Sequence, residues 1–250
     1  MTRKKLIAGN WKMYKNPDQT KGFFRDFLPL VRNHERDEIV VCPPYVDLHA
    51  AVESAKGSEV AIGAQDVYWR SEGAFTGEIS PPMLVAAGCT HVIVGHSERR
   101  QYFGDTDETV NSKLKAALEH GLTPICCVGE VLGEREAGLT EEVLARQCVR
   151  AFDGLHAGEA RRLVIAYEPV WAIGTGKTAT PEMAREAHAI VRAEAAKAVG
   201  GEFASALRIL YGGSVKPENA RALLREEEID GALVGGASLD PESFAAIVKY

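Results

Sequence analysis

Eight short runs of apolar and β-branched residues punctuate the chain: Lys5–Ala8, Glu38–Cys42, Val60–Gly63, His91–Val94, Thr123–Val128, Leu163–Tyr167, Leu207–Tyr211 and Gly231–Val234. They are continuously hydrophobic rather than alternating, as expected for strands of a parallel sheet whose outer face is covered by helices. The segments between them carry helical periodicity. Val110, Leu114, Ala117 and Leu118 fall at i, i+4, i+7 and i+8, as do Leu144, Cys148, Ala151 and Phe152, and again Met183, Ala187, Ile190 and Val191. Asn16-Pro17, Thr180-Pro181 and Asp240-Pro241 read as N-cap plus first-turn proline, and Gly121 reads as the glycine that ends a helix at His120. Pro29 is expected to end or kink the first helix near Leu28.

The strand starts lie 22 to 44 residues apart, which leaves room for one crossover helix in each interval. Eight such units in 250 residues, with no linker-like Pro- or Ser-rich break, predict an α/β protein: a single (β/α)₈ barrel domain over residues 1–250. The alternative is an open doubly wound sheet. That fold usually advertises G-x-G-x-x-G after its first strand, where this chain has Asn10-Trp11-Lys12.

Composition narrows the partners. Lys and Arg number 29 against 35 Asp and Glu, a formal charge of −6, so there is no electrostatic footprint for nucleic acid or an anionic membrane. Any anionic ligand must be held by local groups. The five cysteines, Cys42, Cys89, Cys126, Cys127 and Cys148, form no C-x-x-C pair and lie mostly in apolar stretches, the usage of reduced core thiols in a cytoplasmic protein. Met1–Lys5 has the charge of a signal-peptide start, but the apolar run Leu6–Ala8 is too short to continue one. No run approaches the roughly 18 apolar residues of a membrane span.

In a barrel of this type the chemistry sits at the carboxyl ends of the strands, so the residues placed directly after each strand decide the functional reading. Asn10-Trp11-Lys12 come after the first, Gly95-His96-Ser97-Glu98 after the fourth and Glu168-Pro169-Val170-Trp171 after the sixth, while Gly212-Gly213-Ser214 and Gly235-Gly236 come after the last two. Glycine pairs there are either tight turns or the place where backbone N–H groups and a short helix N-terminus cradle a phosphate; two pairs in the two usual loops favour the phosphate. Glu168 could be an ion-pair partner at the mouth or a general base tuned by partial burial. The apolar connection after it, with Pro169 at one end and glycines at the other, suits a lid that buries Trp171 or Ile173 and excludes water. His96 could be structural. At a helix N-terminus, though, the positive end of the dipole disfavours imidazolium, leaving a neutral ring that donates a hydrogen bond. Lys12 could be a rim charge or the local counter-charge for an anion.

Within that connection, GTGKT imitates the tail of an ATP-binding loop. A true P-loop requires glycine at the position of Trp171, and the helix start at Thr180-Pro181 leaves Lys177 and Thr178 in a loop.

Six ordered stretches then carry a resemblance over essentially the whole chain: residues 9–13 (GNWKM), 73–80 (GAFTGEIS), 94–100 (VGHSERR), 167–176 (YEPVWAIGTG), 211–214 (YGGS) and 233–239 (LVGGASL). Together they resemble the triosephosphate isomerase family of TIM barrels. The resemblance implies a cofactor-free and metal-free isomerase of dihydroxyacetone phosphate and D-glyceraldehyde 3-phosphate, working in glycolysis and gluconeogenesis through an enediolate. It carries over the family's own roles: Glu168 as base, neutral His96 as electrophile and a closing lid. Lys12 would stabilise the enediolate, Asn10 would orient substrate, and backbone groups at Gly174, Ser214, Gly235 and Gly236 would hold the phosphate. Glu98 would support the site. Residues 73–80 resemble a loop that docks into a partner subunit, implying a homodimer with Gln65 and Thr76 at its interface. Asp66 and Tyr14 depart from the pattern, each standing where the family commonly has Asn. Two rival functions remain: a barrel enzyme acting on a larger sugar phosphate, and a catalytically silent barrel that only binds metabolites or proteins.

Overall fold

The computed structural model describes residues 3–156, 158, 161–173 and 178–250. Eight parallel strands close into a barrel in chain order: β1 (Leu6–Asn10), β2 (Glu38–Cys42), β3 (Val60–Ala64), β4 (His91–Val94), β5 (Thr123–Val128), β6 (Val164–Tyr167), β7 (Arg208–Tyr211) and β8 (Gly231–Val234). β8 returns to pair with β1, from Leu6 opposite Gly231 to Gly9 opposite Val234, so the sheet has no open edge. Around it lie α1 (Pro17–Val31), α2 (Leu48–Ala55), α3 (Pro81–Ala86), α4 (Ser97–Tyr102), α5 (Asp107–Glu119), α6 (Leu132–Glu136), α7 (Thr140–Phe152), α8 (Pro181–Val199), α9 (Gly201–Ala206), α10 (Pro217–Leu224) and α11 (Pro241–Val248). None of the described helices is long and apolar enough to cross a membrane.

Alternate strand residues serve two cores, which is why the strands read as unbroken apolar runs. Leu6, Ala8, Val40, Cys42, Ile93, Ile125, Cys127, Val164, Ala166, Leu210 and Leu233 fill the barrel interior. Their neighbours, among them Ile7, Val41, Val92, Val94, Cys126, Ile165 and Ile209, pack outward against the helices. The first and last helices meet where Phe27 of α1 stacks on Phe244 of α11 at 5.2 Å, and Phe23 of α1 meets Trp11, just after β1, edge-on at 4.8 Å. Such pairs contribute roughly 0.5–1.5 kcal/mol each beyond their burial. All five cysteines are buried free thiols.

The expected caps form. Asn16 accepts the Gln19 N–H at 3.0 Å, Thr180 that of Met183 at 3.3 Å and Asp240 that of Ser243 at 2.9 Å. Gly121, at φ 83, stands just past the end of α5 as its sequence position required. In α8 the buried stripe runs through Ala184, Ala187, His188 and Val191, with Met183 and Ile190 at its half-buried margin.

Two expectations fail. Pro29 does not end α1 near Leu28: the helix continues to Val31 with the proline inside it. Pro29 and Arg25, whose carbonyl loses its donor, are both exposed, so water can serve that carbonyl. The first strand also runs two residues further than its apolar run: Asn10 still pairs in register with Cys42. Its polar side chain hid it from a reading by hydrophobicity.

Candidate active site

The carboxyl end of β1 delivers Asn10 and Lys12. Asn10 is buried, and its Oδ1 accepts the Lys12 N–H at 3.0 Å. Lys12 has φ 53, a region that non-glycine residues seldom occupy, so its neighbours must hold it there. Gln65 does so, donating from Nε2 to the Lys12 carbonyl at 2.8 Å and to the Cys42 carbonyl at 2.9 Å. At the other end of the side chain, Lys12 Nζ lies 2.5 Å from Glu98 Oε1.

His96 caps α4, and its Nδ1 accepts the Glu98 N–H at 3.2 Å. That bond occupies the Nδ1 lone pair and places the ring proton on Nε2. Nε2 lies 2.9 Å from Glu168 Oε1, and Glu168 Oε2 accepts the Ser97 N–H at 2.8 Å. Both side chains are buried. Burial lowers the proton affinity of His96, but the Glu168 carboxylate, aided by Glu98, more than reverses this and holds it above the ordinary imidazole value. Burial likewise raises the affinity of Glu168, yet His96 and the Ser97 N–H outweigh it and hold the carboxyl below the ordinary range.

Glycine makes room for Glu168. A Cβ on Gly129 would stand 1.7 Å from the Glu168 carbonyl oxygen, and one on Gly212 would stand 2.9 Å from its Cγ. Beyond Gly212 the chain turns through Gly213 and Ser214. After the neighbouring strand β8, Gly235 leads into a 3₁₀ turn over Gly236–Leu239 whose amino end lines the same cavity. Asn10, Lys12, His96, Glu168, Ile173, Gly212, Gly213, Ser214, Gly235 and Gly236 all line one cavity of about 610 Å³ at the carboxyl ends of the strands. Gly174, expected on the phosphate, and Lys177 of the GTGKT string lie outside the described residues.

The family model for triosephosphate isomerase matches residues 5–250. The chain belongs to the triosephosphate isomerase family. It is 58% identical over 248 residues to the triosephosphate isomerase of Solibacter usitatus, covering 99% of this chain and 100% of that one. It is 54% identical to that of Geobacter metallireducens and 56% identical to that of Moorella thermoacetica, with 99% of each chain covered.

Three features of this family member escaped the sequence reading. Glu130 is fully buried, and its Oε1 gathers the Tyr167 hydroxyl at 3.1 Å, the Trp171 indole N–H at 2.9 Å and the Arg135 guanidinium at 3.1 Å. Its backbone carbonyl accepts the Val170 N–H at 3.1 Å, so Glu130 ties the segment after Glu168 to the end of β5. A signal for it does exist in the sequence, because Gly129-Glu130 stand directly after the fifth apolar run, the position from which barrel strands deliver side chains to the mouth. Gln147, from outer helix α7, clamps Gly129 by accepting its N–H at 2.7 Å and donating to its carbonyl at 3.3 Å; no local signal marks it. Gln65, expected at an interface, spends its amide within the chain on Lys12, while Thr76 sits in the wholly exposed stretch 71–78.

Proposed function

We propose that the chain interconverts dihydroxyacetone phosphate and D-glyceraldehyde 3-phosphate through an enediolate, without a cofactor. The observation that carries this reading is the convergence of Glu168, His96, Lys12 and two glycine loops on a single cavity of about 610 Å³. Phosphate would sit against the backbone N–H groups of Ser214, Gly235 and Gly236, with Gly174 added from the lid. Asn10 and Lys12 would face the reacting carbons, where Lys12 offsets the negative charge that develops on oxygen; its Cε stands 3.6 Å from where a Cβ on Gly235 would be, so the same ammonium would also attract the phosphate.

Glu168 would take the proton from the carbon next to the carbonyl while His96 Nε2–H donates a hydrogen bond to the carbonyl oxygen. The carboxylic acid so formed would return its proton to the neighbouring carbon, and His96 would pass a proton between the two oxygens. Substrate entering between His96 and Glu168 separates them. The carboxylate then loses the imidazole, the partner that most depresses its proton affinity, and keeps the burial that raises it; the imidazole loses the anion that would favour its charged form. Trp171 and Ile173 would close over the cavity and keep water from the enediolate. Glu98 would hold Lys12 in place.

A homodimer fits the surface: Met13, Tyr14, Val46, Phe75, Tyr102 and Phe103 are exposed apolar side chains, with Met13 93% and Val46 75% accessible. Gln65 and Thr76 would stand at that contact. The five buried free thiols suit the reducing cytoplasm, where glycolysis and gluconeogenesis would use the enzyme. The test is conversion of glyceraldehyde 3-phosphate by the purified chain, read through a coupled dehydrogenase. Rapid turnover is expected, and a folded protein that binds inorganic phosphate but turns over no triose phosphate would overturn the reading.

A further inference from the structure

Where the chain leaves β3 lies a cluster of four charges, three of them buried and the Arg99 side chain 30% accessible, that the proposed chemistry does not use. Lys113 of α5 reaches both oxygens of Asp66, at 2.8 and 3.1 Å, and both oxygens of Asp105, at 2.9 and 3.0 Å. Arg99 Nε lies 2.9 Å from Asp66 Oδ2 and 3.4 Å from Asp105 Oδ2. Two anions face two cations. The Lys113 side chain is only 3% accessible and those of Asp66 and Asp105 only 7% and 6%, so removing one charge leaves another buried and uncompensated. Tyr45 also donates its hydroxyl to the Asp66 carbonyl, fixing the backbone at this point.

The sequence neighbours of this cluster are the two residues that hold Lys12. Gln65, which fixes the Lys12 carbonyl, immediately precedes Asp66; Glu98, which fixes the Lys12 ammonium, immediately precedes Arg99. The cluster therefore bolts the strand end that grips the Lys12 backbone to the helix that grips its side chain. At φ 53, Lys12 occupies a conformation that persists only when its surroundings impose it. We infer that the Asp66–Lys113–Asp105–Arg99 cluster is a positioning device for Lys12, and that Asp66 supplies the second anion that balances Lys113 and Arg99.

This inference rests on the proposed role of Lys12, and its test separates the two. Asp66→Asn keeps the shape and removes the charge. Relative to wild type it should lose about tenfold or more in kcat/KM for glyceraldehyde 3-phosphate, with a raised KM, and should bind inorganic phosphate several-fold more weakly by calorimetric titration. A purely structural role would lower the thermal midpoint and leave both values unchanged per folded molecule. If the single variant does not fold, Asp66→Asn with Lys113→Met keeps Asp105 balanced by Arg99 while cutting the link, and the same losses are expected. Kinetics and phosphate affinity within twofold of wild type in either folded variant overturn the inference. A wild type without turnover would instead sink the proposed reaction, and the phosphate titration would still decide the role of the cluster.

Discussion

The two ends of the barrel use the same three kinds of side chain to different effect. At the amino end, His91, Glu38 and Arg208 open strands β4, β2 and β7; Glu38 Oε1 lies 3.1 Å from His91 Nε2, and Oε2 accepts from Arg208 at 2.5 Å. At the carboxyl end the set is His96, Glu168 and Lys12, but Lys12 turns away to Glu98 and leaves Glu168 with an imidazole and one backbone N–H. Both oxygens of Glu38 are thus committed to charged or chargeable partners, and its carboxyl is held down at about 2 by His91 and Arg208 against the opposing effect of burial. Glu168 faces a cavity that can admit a ligand between it and His96. An ion pair and a proposed base differ here in how the partners are shared out and in whether space is left beside the carboxylate.

Exchanging the acids for amides should break the symmetry most strongly. Glu168→Gln should lower kcat by about 10²- to 10⁴-fold, the usual worth of a general base, while circular dichroism and the thermal midpoint stay close to wild type. Near-full activity in that variant would remove Glu168 from the base role. Glu38→Gln should do the opposite, leaving kcat within a few-fold of wild type and lowering stability.

The same floor carboxylate fixes a pH window. Because the folded state depresses the affinity of Glu38 from an ordinary 4.5 to about 2, its contribution is present above 4.5 and is lost as pH falls toward 2. With about a third of the Glu38 side chain open to screening by solvent, this contribution is worth about 1–2 kcal/mol. Denaturant titrations from pH 7 to 3 should show this loss in the wild type and a flatter curve in Glu38→Gln; identical curves would contradict the assignment.

A smaller effect sharpens the mouth itself. A Cβ on Gly213 would lie 2.3 Å from the Tyr211 hydroxyl oxygen and 3.0 Å from Pro169 Cγ, whereas one on Gly236 would meet nothing within 4 Å. Gly213→Ala should therefore cost about 1–3 kcal/mol of stability by overpacking and raise KM, while Gly236→Ala should fold like wild type. Equal thermal midpoints for the two variants would show that the Gly213 site can relax.

Much of this was legible in one dimension. Strands buried on both faces announce themselves as apolar runs, and β2, β4, β5 and β8 begin and end where those runs do. The proposed chemical residues were legible because the fold places them directly after strands. Asn10 shows where that reading fails: a polar side chain in a strand interrupts the hydrophobic signal without interrupting the ladder. Gln147 and the charged cluster failed for another reason. Gln147 acts on Gly129 from 18 positions away and Lys113 on Asp66 from 47, and nothing in a local window marks such partners.

The sequence by itself determined the barrel, the count and order of its strands, the helix caps and the short list of residues that reach the mouth, because each follows from periodicity, capping chemistry or position after a strand. Only the tertiary structure decided how the charges are paired. Lys12 goes to Glu98 rather than Glu168, Gln65 turns inward to the Lys12 carbonyl, and Asp66 is neutralised by a lysine from α5. Pairing depends on distances of a few ångströms between segments remote in the chain, and those distances exist only once the barrel has closed.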